Sequence, residues 1–210
     1  MPFANCSLRS ANTMSKKLKP SFYRGDDVVK IAKSLLGKFL VSDLPEGITS
    51  GKIVETEAYS WMERGCHAFN HKKTNRNAAM FENGGVSYVY LCYGVHELFN
   101  IVTNQKGIAE AVLIRALEPI DGLDIMMKRY QTINSKRITS GPGKLARALG
   151  ITRNHNLEDL TGSTVWIEDR NVIIKPNQIN TSARIGMNFK GKDAVLPWRF
   201  TINGNTWVSK

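Results

Sequence analysis

Two carboxylates interrupt a stretch that otherwise reads as a buried strand. In Gly51-Lys52-Ile53-Val54-Glu55-Thr56-Glu57-Ala58-Tyr59, the two-residue period of a strand puts Ile53, Glu55, Glu57 and Tyr59 on one face and Val54, Thr56 and Ala58 on the other. One face then offers a carboxylate beside an aromatic ring, the pairing that proton abstraction next to a stacked, flat substrate would need. The ordinary alternative is a polar face with Glu55 and Glu57 in water.

The residues that follow add candidates. Ser60 to Ala79 has no clean period and carries His67, His71, Lys72, Lys73, Arg76 and Asn77. A loop of that length inside a domain is uncommon and often functional, and its positive charge could receive phosphates. A lone histidine there is more often solvated than catalytic. Next comes an antiparallel meander: Val86 to Cys92, a reversal at Tyr93-Gly94, Leu98 to Val102, a turn at Asn104 to Gly107, then Ala109 to Leu117. Tyr88 and Tyr90 share a face of its first strand, where ordinary sheet packing competes with a site role. Tyr93 stands at the hairpin tip, where a bulky ring is harder to explain as core. Asn100 and Arg115 lie in the second and third strands and need partners if buried.

The elements that must position these groups read as follows. Residues 1–20 form a flexible basic arm without periodicity, followed by one domain over 21–210. A helix capped by Asp26 carries Val28, Ile31, Ala32 and Leu35 inward and stops at Gly37. Lys38 to Ser42 is a strand, returned by a turn at Leu44 to Gly47. Ile120 to Tyr130 is an amphipathic helix with Leu123, Met126 and Met127 inward. Ser140-Gly141-Pro142-Gly143-Lys144 opens another helix, which ends at Gly150. Its start is either a plain cap or, through Lys144, a phosphate contact; it lacks the spacing of a Walker motif. Strand-like pieces follow at Thr164 to Ile167, Val172 to Lys175, Ala183 to Met187 and Trp198 to Ile202.

Composition narrows the partner. The 210 residues, 42% hydrophobic and 22% charged, suffice for a real core. The net charge of +11, from 29 Lys and Arg against 18 Asp and Glu, favours an acidic partner such as nucleic acid or an anionic membrane surface. No apolar run approaches the roughly 20 residues that span a bilayer, and the N-terminus lacks a signal-peptide core. An intracellular location is expected, cytoplasmic in a bacterium or nuclear in a eukaryote. Cys6, Cys66 and Cys92 lack metal-site spacing, so neither a zinc site nor a disulfide framework is expected.

Taken together, the chain resembles the alkyladenine (3-methyladenine) DNA glycosylase family. The stretches that carry the resemblance are Leu35-Leu36-Gly37, Ile53 to Tyr59, Asn75-Arg76-Asn77 with Met80-Phe81, Tyr88-Val89-Tyr90 with Tyr93-Gly94, and Asn100-Ile101. They continue with Leu113 to Pro119, Ser140-Gly141-Pro142 with Lys144-Leu145, Ala183-Arg184-Ile185-Gly186, Arg199-Phe200 and Trp207-Val208-Ser209. The resemblance implies an α+β fold: a single mixed domain with a curved, mostly antiparallel sheet, flanking helices and a protruding β-hairpin that enters DNA. It implies that Glu57 is the general base, with Arg115 beside the nucleophilic water. Tyr59, His67 and Tyr90 would form the walls of a base pocket, Asn100 would reject guanine by its amino group, and Tyr93 would intercalate.

Arg76 and Lys144 are the candidate phosphate contacts. The implied activity is hydrolysis of the bond between a damaged purine and its sugar in double-stranded DNA, leaving an abasic site, by a monomer without metal, cofactor or membrane. Extrusion of the nucleotide, stacking of an electron-poor base on tyrosines and a carboxylate to activate water suit that chemistry. Two other readings stay open on the residues alone: a non-catalytic nucleic-acid-binding module in which Glu57 is structural, and an enzyme acting on free nucleosides.

Overall fold

In the computed structural model, residues 16–209 are described. The chain runs β1 (Lys16–Lys17), α1 (Pro20–Tyr23), α2 (Val28–Leu35), β2 (Phe39–Leu44), β3 (Gly47–Ser60), β4 (Ser87–Cys92), β5 (His96–Thr103), β6 (Glu110–Asp121), α3 (Leu123–Tyr130), α4 (Pro142–Leu149), β7 (Val165–Asp169), β8 (Ile179–Ser182) and β9 (Arg199–Ile202). Among the described residues these strands form one open sheet in the order β1-β7-β2-β3-β6-β5-β4, with β9 added to β3 and β8 to β9. Every strand pair is antiparallel. The fold is thus the expected α+β domain with an antiparallel sheet and flanking helices. Of the basic arm expected over 1–20, residues 1–15 lie outside the described residues. Lys16 and Lys17 pair with Asp169 and Glu168 of β7.

Local sequence explains most boundaries. The cap of α2 is Asp27, not Asp26: the Lys30 amide donates to its side chain over 2.9 Å. Val28, Ile31, Ala32 and Leu35 face the core as their spacing requires, and Gly37 leaves the helix at φ +83, a conformation that costs other residues dearly. Leu44 pairs with Gly47, so Pro45-Glu46 makes a two-residue turn. The meander appears as expected. In α3 only Met126 is fully buried; Leu123, expected inward, is 37% exposed because the helix starts at that residue, at the edge of the packed face.

Two expected strands are absent. Val172 to Lys175 follows Asn171 at φ +61 and runs into Pro176, so its apolar residues flank the sheet without joining it, with Ile173 exposed. Ala183 to Met187 is a loop, whose backbone is used for another purpose described below. The intervening Ile179–Ser182, not anticipated, pairs with β9.

The β3–β6 pair departs from a constant period in a way that matters. From Ile53↔Leu117 the register passes to Glu55↔Ala116, and from there to Thr56↔Ile114. Val54 on one strand and Arg115 on the other therefore have no opposite partner, a pair of bulges that re-aims both chains. The parity break sends Ile53 into the main core with Ala58 and Leu117, which corrects the expectation that Ile53 shares a face with Glu55, Glu57 and Tyr59. A second, smaller core of Cys66, Ala68, Ala79, Met80, Phe81, Tyr88, Val102, Ala109 and Ala111 pins the long loop to the sheet.

Candidate active site

Neither glutamate of β3 is in water. Both are fully buried, which a charged group tolerates only when paired and hydrogen-bonded. Glu55 Oε1 accepts from Arg115 Nε at 3.0 Å, Arg199 Nε at 2.7 Å and Ser209 Oγ at 2.8 Å, and its Oε2 accepts from the Ser209 amide at 2.7 Å. Glu57 Oε2 accepts from the Tyr59 hydroxyl at 2.8 Å and Arg115 Nη1 at 3.2 Å, and its Oε1 accepts from the Ile185 amide at 2.8 Å. Two carboxylates thus meet two guanidiniums, and Arg115 at its bulge bridges both. Burial alone would push Arg115 down; the charges of Glu57 and then Glu55 more than reverse this and hold it above its ordinary value. Burial, then the Glu57 charge, raise the Tyr59 phenol well above the usual range, so it stays a donor.

The two glutamates differ in where they face. Glu55 is enclosed by donors on all sides, whereas the groups that hold Glu57, namely Tyr59, Arg115 and Ile185, all line a cavity of about 500 Å³. Tyr59, His67, Tyr90, Tyr93, Asn100, Arg115 and Lys144 line this same cavity. They come from β3, the long loop, β4, the hairpin tip, β5, β6 and the first turn of α4. The volume lies within the range of small-molecule sites.

The walls are aromatic and tied to one another. Tyr88 and Tyr90 stack at 5.2 Å between ring centres. His67 meets Tyr90 edge-on at 4.7 Å and shares a 2.9 Å hydrogen bond through Nδ1 with the Tyr88 hydroxyl. Burial of the imidazole against these rings, and then the Arg76 charge, lower its pKa from 6.5. Burial pushes the Tyr90 phenol up to about 12. Asn100 is buried and donates from Nδ2 to the Tyr88 carbonyl at 3.0 Å. Arg76 is not among the lining residues: its guanidinium lies 5.2 Å from the Tyr90 ring centre and donates to the Leu91 carbonyl at 3.2 Å. Lys144 is exposed at the cavity rim.

Above the cavity the β4–β5 hairpin closes with Cys92 opposite His96. Tyr93 is 81% exposed and adopts φ +50, with Gly94 following at +74. An exposed aromatic held in the left-handed region costs energy that core packing does not explain, of order 1–3 kcal/mol.

Three groups escaped the sequence reading. Glu55 was visible, but its four donors come from β6, β9 and Ser209. Glu63 and Arg184 form a buried bidentate pair, both contacts 2.6 Å, one from the long loop and one from a stretch that reads as strand. Ile185 contributes only its backbone, which no residue type reveals. Among the described residues no cluster of three or more His, Cys, Asp and Glu suits a metal ion, and no helix is long and apolar enough to cross a membrane.

A buried carboxylate beneath an aromatic cavity, beside an exposed wedge-like ring on a basic protein, suits an enzyme that handles bases of nucleic acid. Comparison with known proteins agrees. A family model described as methylpurine-DNA glycosylase (MPG) matches residues 21–206. A protein of Chlamydia felis is 43% identical over 189 residues, spanning 89% of this chain and 96% of its own length. One of Carboxydothermus hydrogenoformans is 42% identical over 193 residues, spanning 92% and 99%, and one of Chlorobaculum tepidum is 43% identical over 197 residues, spanning 93% and 91%. Each of the three carries the name "Putative 3-methyladenine DNA glycosylase". The family model covers every element that lines the cavity, from β3 to the loop of Ala183 to Met187, and the chain belongs to the methylpurine-DNA glycosylase family.

Proposed function

We propose that this DNA glycosylase of base-excision repair removes alkylated or deaminated purines from duplex DNA by hydrolysis, as a monomer, leaving an abasic site. The observation that carries this reading is Glu57: a carboxylate buried under the cavity, held by three groups that line it. A carboxylate has about four lone-pair sites. Three are taken by Tyr59, Arg115 and the Ile185 amide, which leaves one on Oε1 for a proton of water.

The geometry supports the following steps. The net charge of +11 draws the protein to phosphates, and Lys144 at the rim is the proposed contact to one. The damaged nucleotide must leave the stack to be reached, and Tyr93 fills the gap as a flat wedge. Inside, Tyr59, His67 and Tyr90 stack on the base. An alkylated purine that carries positive charge gains from their electron-rich faces. Asn100, fixed by the Tyr88 carbonyl, limits the space at the base edge. The water oxygen then bonds to the anomeric carbon, the bond to the base nitrogen breaks with its electron pair going to the base, and the water proton passes to Glu57. Arg115 orients the carboxylate through its 3.2 Å bond, and the negative charge of Glu57 offsets positive charge developing on the sugar.

The test is single-turnover excision of base from alkylated duplex by Glu57→Gln, with binding measured alongside. Near-parental affinity with base release lost is expected; substantial release would remove Glu57 as the base. Release from free nucleosides at a comparable rate would remove the duplex as substrate.

A further inference from the structure

We infer that Glu63 and Arg184 are positioning residues for the cleavage, their buried ion pair holding the Ile185 amide on Glu57 and backing the Tyr59 ring; this rests on the role proposed for Glu57 above. The side chains of Arg184 and Glu63 are 0% and 3% exposed. Besides its two bonds to Glu63, the Arg184 guanidinium donates to the carbonyl of Ala58, between Glu57 and Tyr59, at 3.0 Å and to the Asp193 carbonyl at 3.2 Å. Its central carbon lies 4.6 Å from the Tyr59 ring centre and 5.5 Å from that of Trp198. Glu63 Oε2 also accepts from the Gly65 amide at 2.6 Å. One planar fork thereby joins β3, the long loop and the loop of Ala183 to Met187, and the residue that follows it delivers an amide to Glu57.

Stability alone does not account for this arrangement. A buried ion pair often stabilises no more than an apolar pair of similar volume, and Trp198 and Tyr59 already supply apolar walls. What an apolar pair would lack is direction. A guanidinium fixes a plane and several hydrogen-bond vectors at once, and the Ile185 amide must be aimed within a narrow cone to reach a carboxylate oxygen. The pair also keeps a cation beside Tyr59 without a net charge next to a cationic base, because Glu63 neutralises it.

The readout is a split between binding and chemistry. A pair that only holds the fold would, when broken, lower binding and excision together, in proportion to the folded fraction. A pair that aims the Ile185 amide at Glu57 would, when broken, lower the single-turnover rate of the bound complex and leave affinity for the lesion near that of the parent. Arg184→Lys keeps the charge and loses the fork, whereas Glu63→Gln keeps the shape and leaves Arg184 less neutralised. A rate lost in both variants follows the aim and not the charge at Arg184.

The experiment measures single-turnover excision from alkylated duplex and affinity for it, for the parent, Glu57→Gln, Arg184→Lys and Glu63→Gln, at temperatures where circular dichroism finds each folded. For both clamp variants a rate lower by about ten- to a hundredfold is expected, with affinity for lesion-bearing duplex within about twofold. Excision and affinity that follow only the folded fraction overturn the positioning role. If one variant does not fold, the other decides. A Glu57→Gln protein as active as the parent would instead strike at the reading beneath, and is recognised separately.

Discussion

Tyr59 and Glu57, two residues apart on one strand, are joined by a 2.8 Å hydrogen bond from phenol to carboxylate. One residue therefore supplies both a wall of the cavity and a support for the buried charge. Tyr59→Phe keeps the ring and removes the donor. Lesion binding is expected to hold while excision at neutral pH falls about tenfold, the value of one charge-assisted hydrogen bond. Single-turnover rates measured beside affinity check this; a full rate would limit Tyr59 to stacking.

Glu55 and Glu57 are expected to part company in stability. Removing Glu55 takes the acceptor from Arg115 Nε, Arg199 Nε and both donors of Ser209. Glu55→Ala should cost about 3–5 kcal/mol, read by denaturant unfolding, whereas Glu57→Gln keeps the shape, sets its amide nitrogen against a donor in place of one acceptor oxygen, and should cost less. Equal losses would mean that the two carboxylates share one structural role.

Tyr93→Ala should leave the melting temperature near that of the parent, since the ring is 81% exposed. Its loss should be felt in extrusion, by roughly ten- to a hundredfold, from the 1–3 kcal/mol of an aromatic contact to bases. Single-turnover excision on paired and mispaired hypoxanthine duplexes should fall more on the paired one, which leaves its stack less readily. Equal losses, or a large drop in melting temperature, would reject the wedge.

His67 should titrate below 6.5, and Arg76→Ala should bring it back up, because burial comes first among the causes of the lowered value and Arg76 second. Proton NMR of the imidazole checks both. The folded state favours the neutral ring, so the stability this provides is complete above about pH 6.5 and is lost as pH falls through the lower, folded value. Between about pH 7 and pH 5 the parent should therefore lose more stability than His67→Gln. A His67 titrating above 6.5 would contradict the buried environment.

The parts of the fold that were legible in the sequence are those where one physical cause dominates. Helix α2 follows from apolar spacing and an acidic cap, and the meander from three β-rich runs with tight turns, which is why Tyr88, Tyr90, Tyr93, Asn100 and Arg115 could be gathered into one region. The paired bulges at Val54 and Arg115 were not legible, because a constant period was assumed where the register changes twice. Ala183, Ile185 and Met187 alternate like a strand, yet that backbone serves Glu57 and the ion pair instead. Glu63 and Arg184, 121 residues apart, are not marked as partners by either stretch, although Arg184 lies in one that carries the resemblance: only folding brings them together.

Synthesis order gives the Glu55 network a further meaning. On a ribosome, β3 emerges early, and its carboxylate waits for β6 to deliver Arg115. Three of its four bonds come from Arg199 and Ser209, which are translated far later. A nascent chain stalled before these residues would hold an incompletely paired anion in its interior and resist closing around it. Burial of Glu55 thus couples closure of the sheet at β3 to arrival of the segment that carries Arg199 and Ser209.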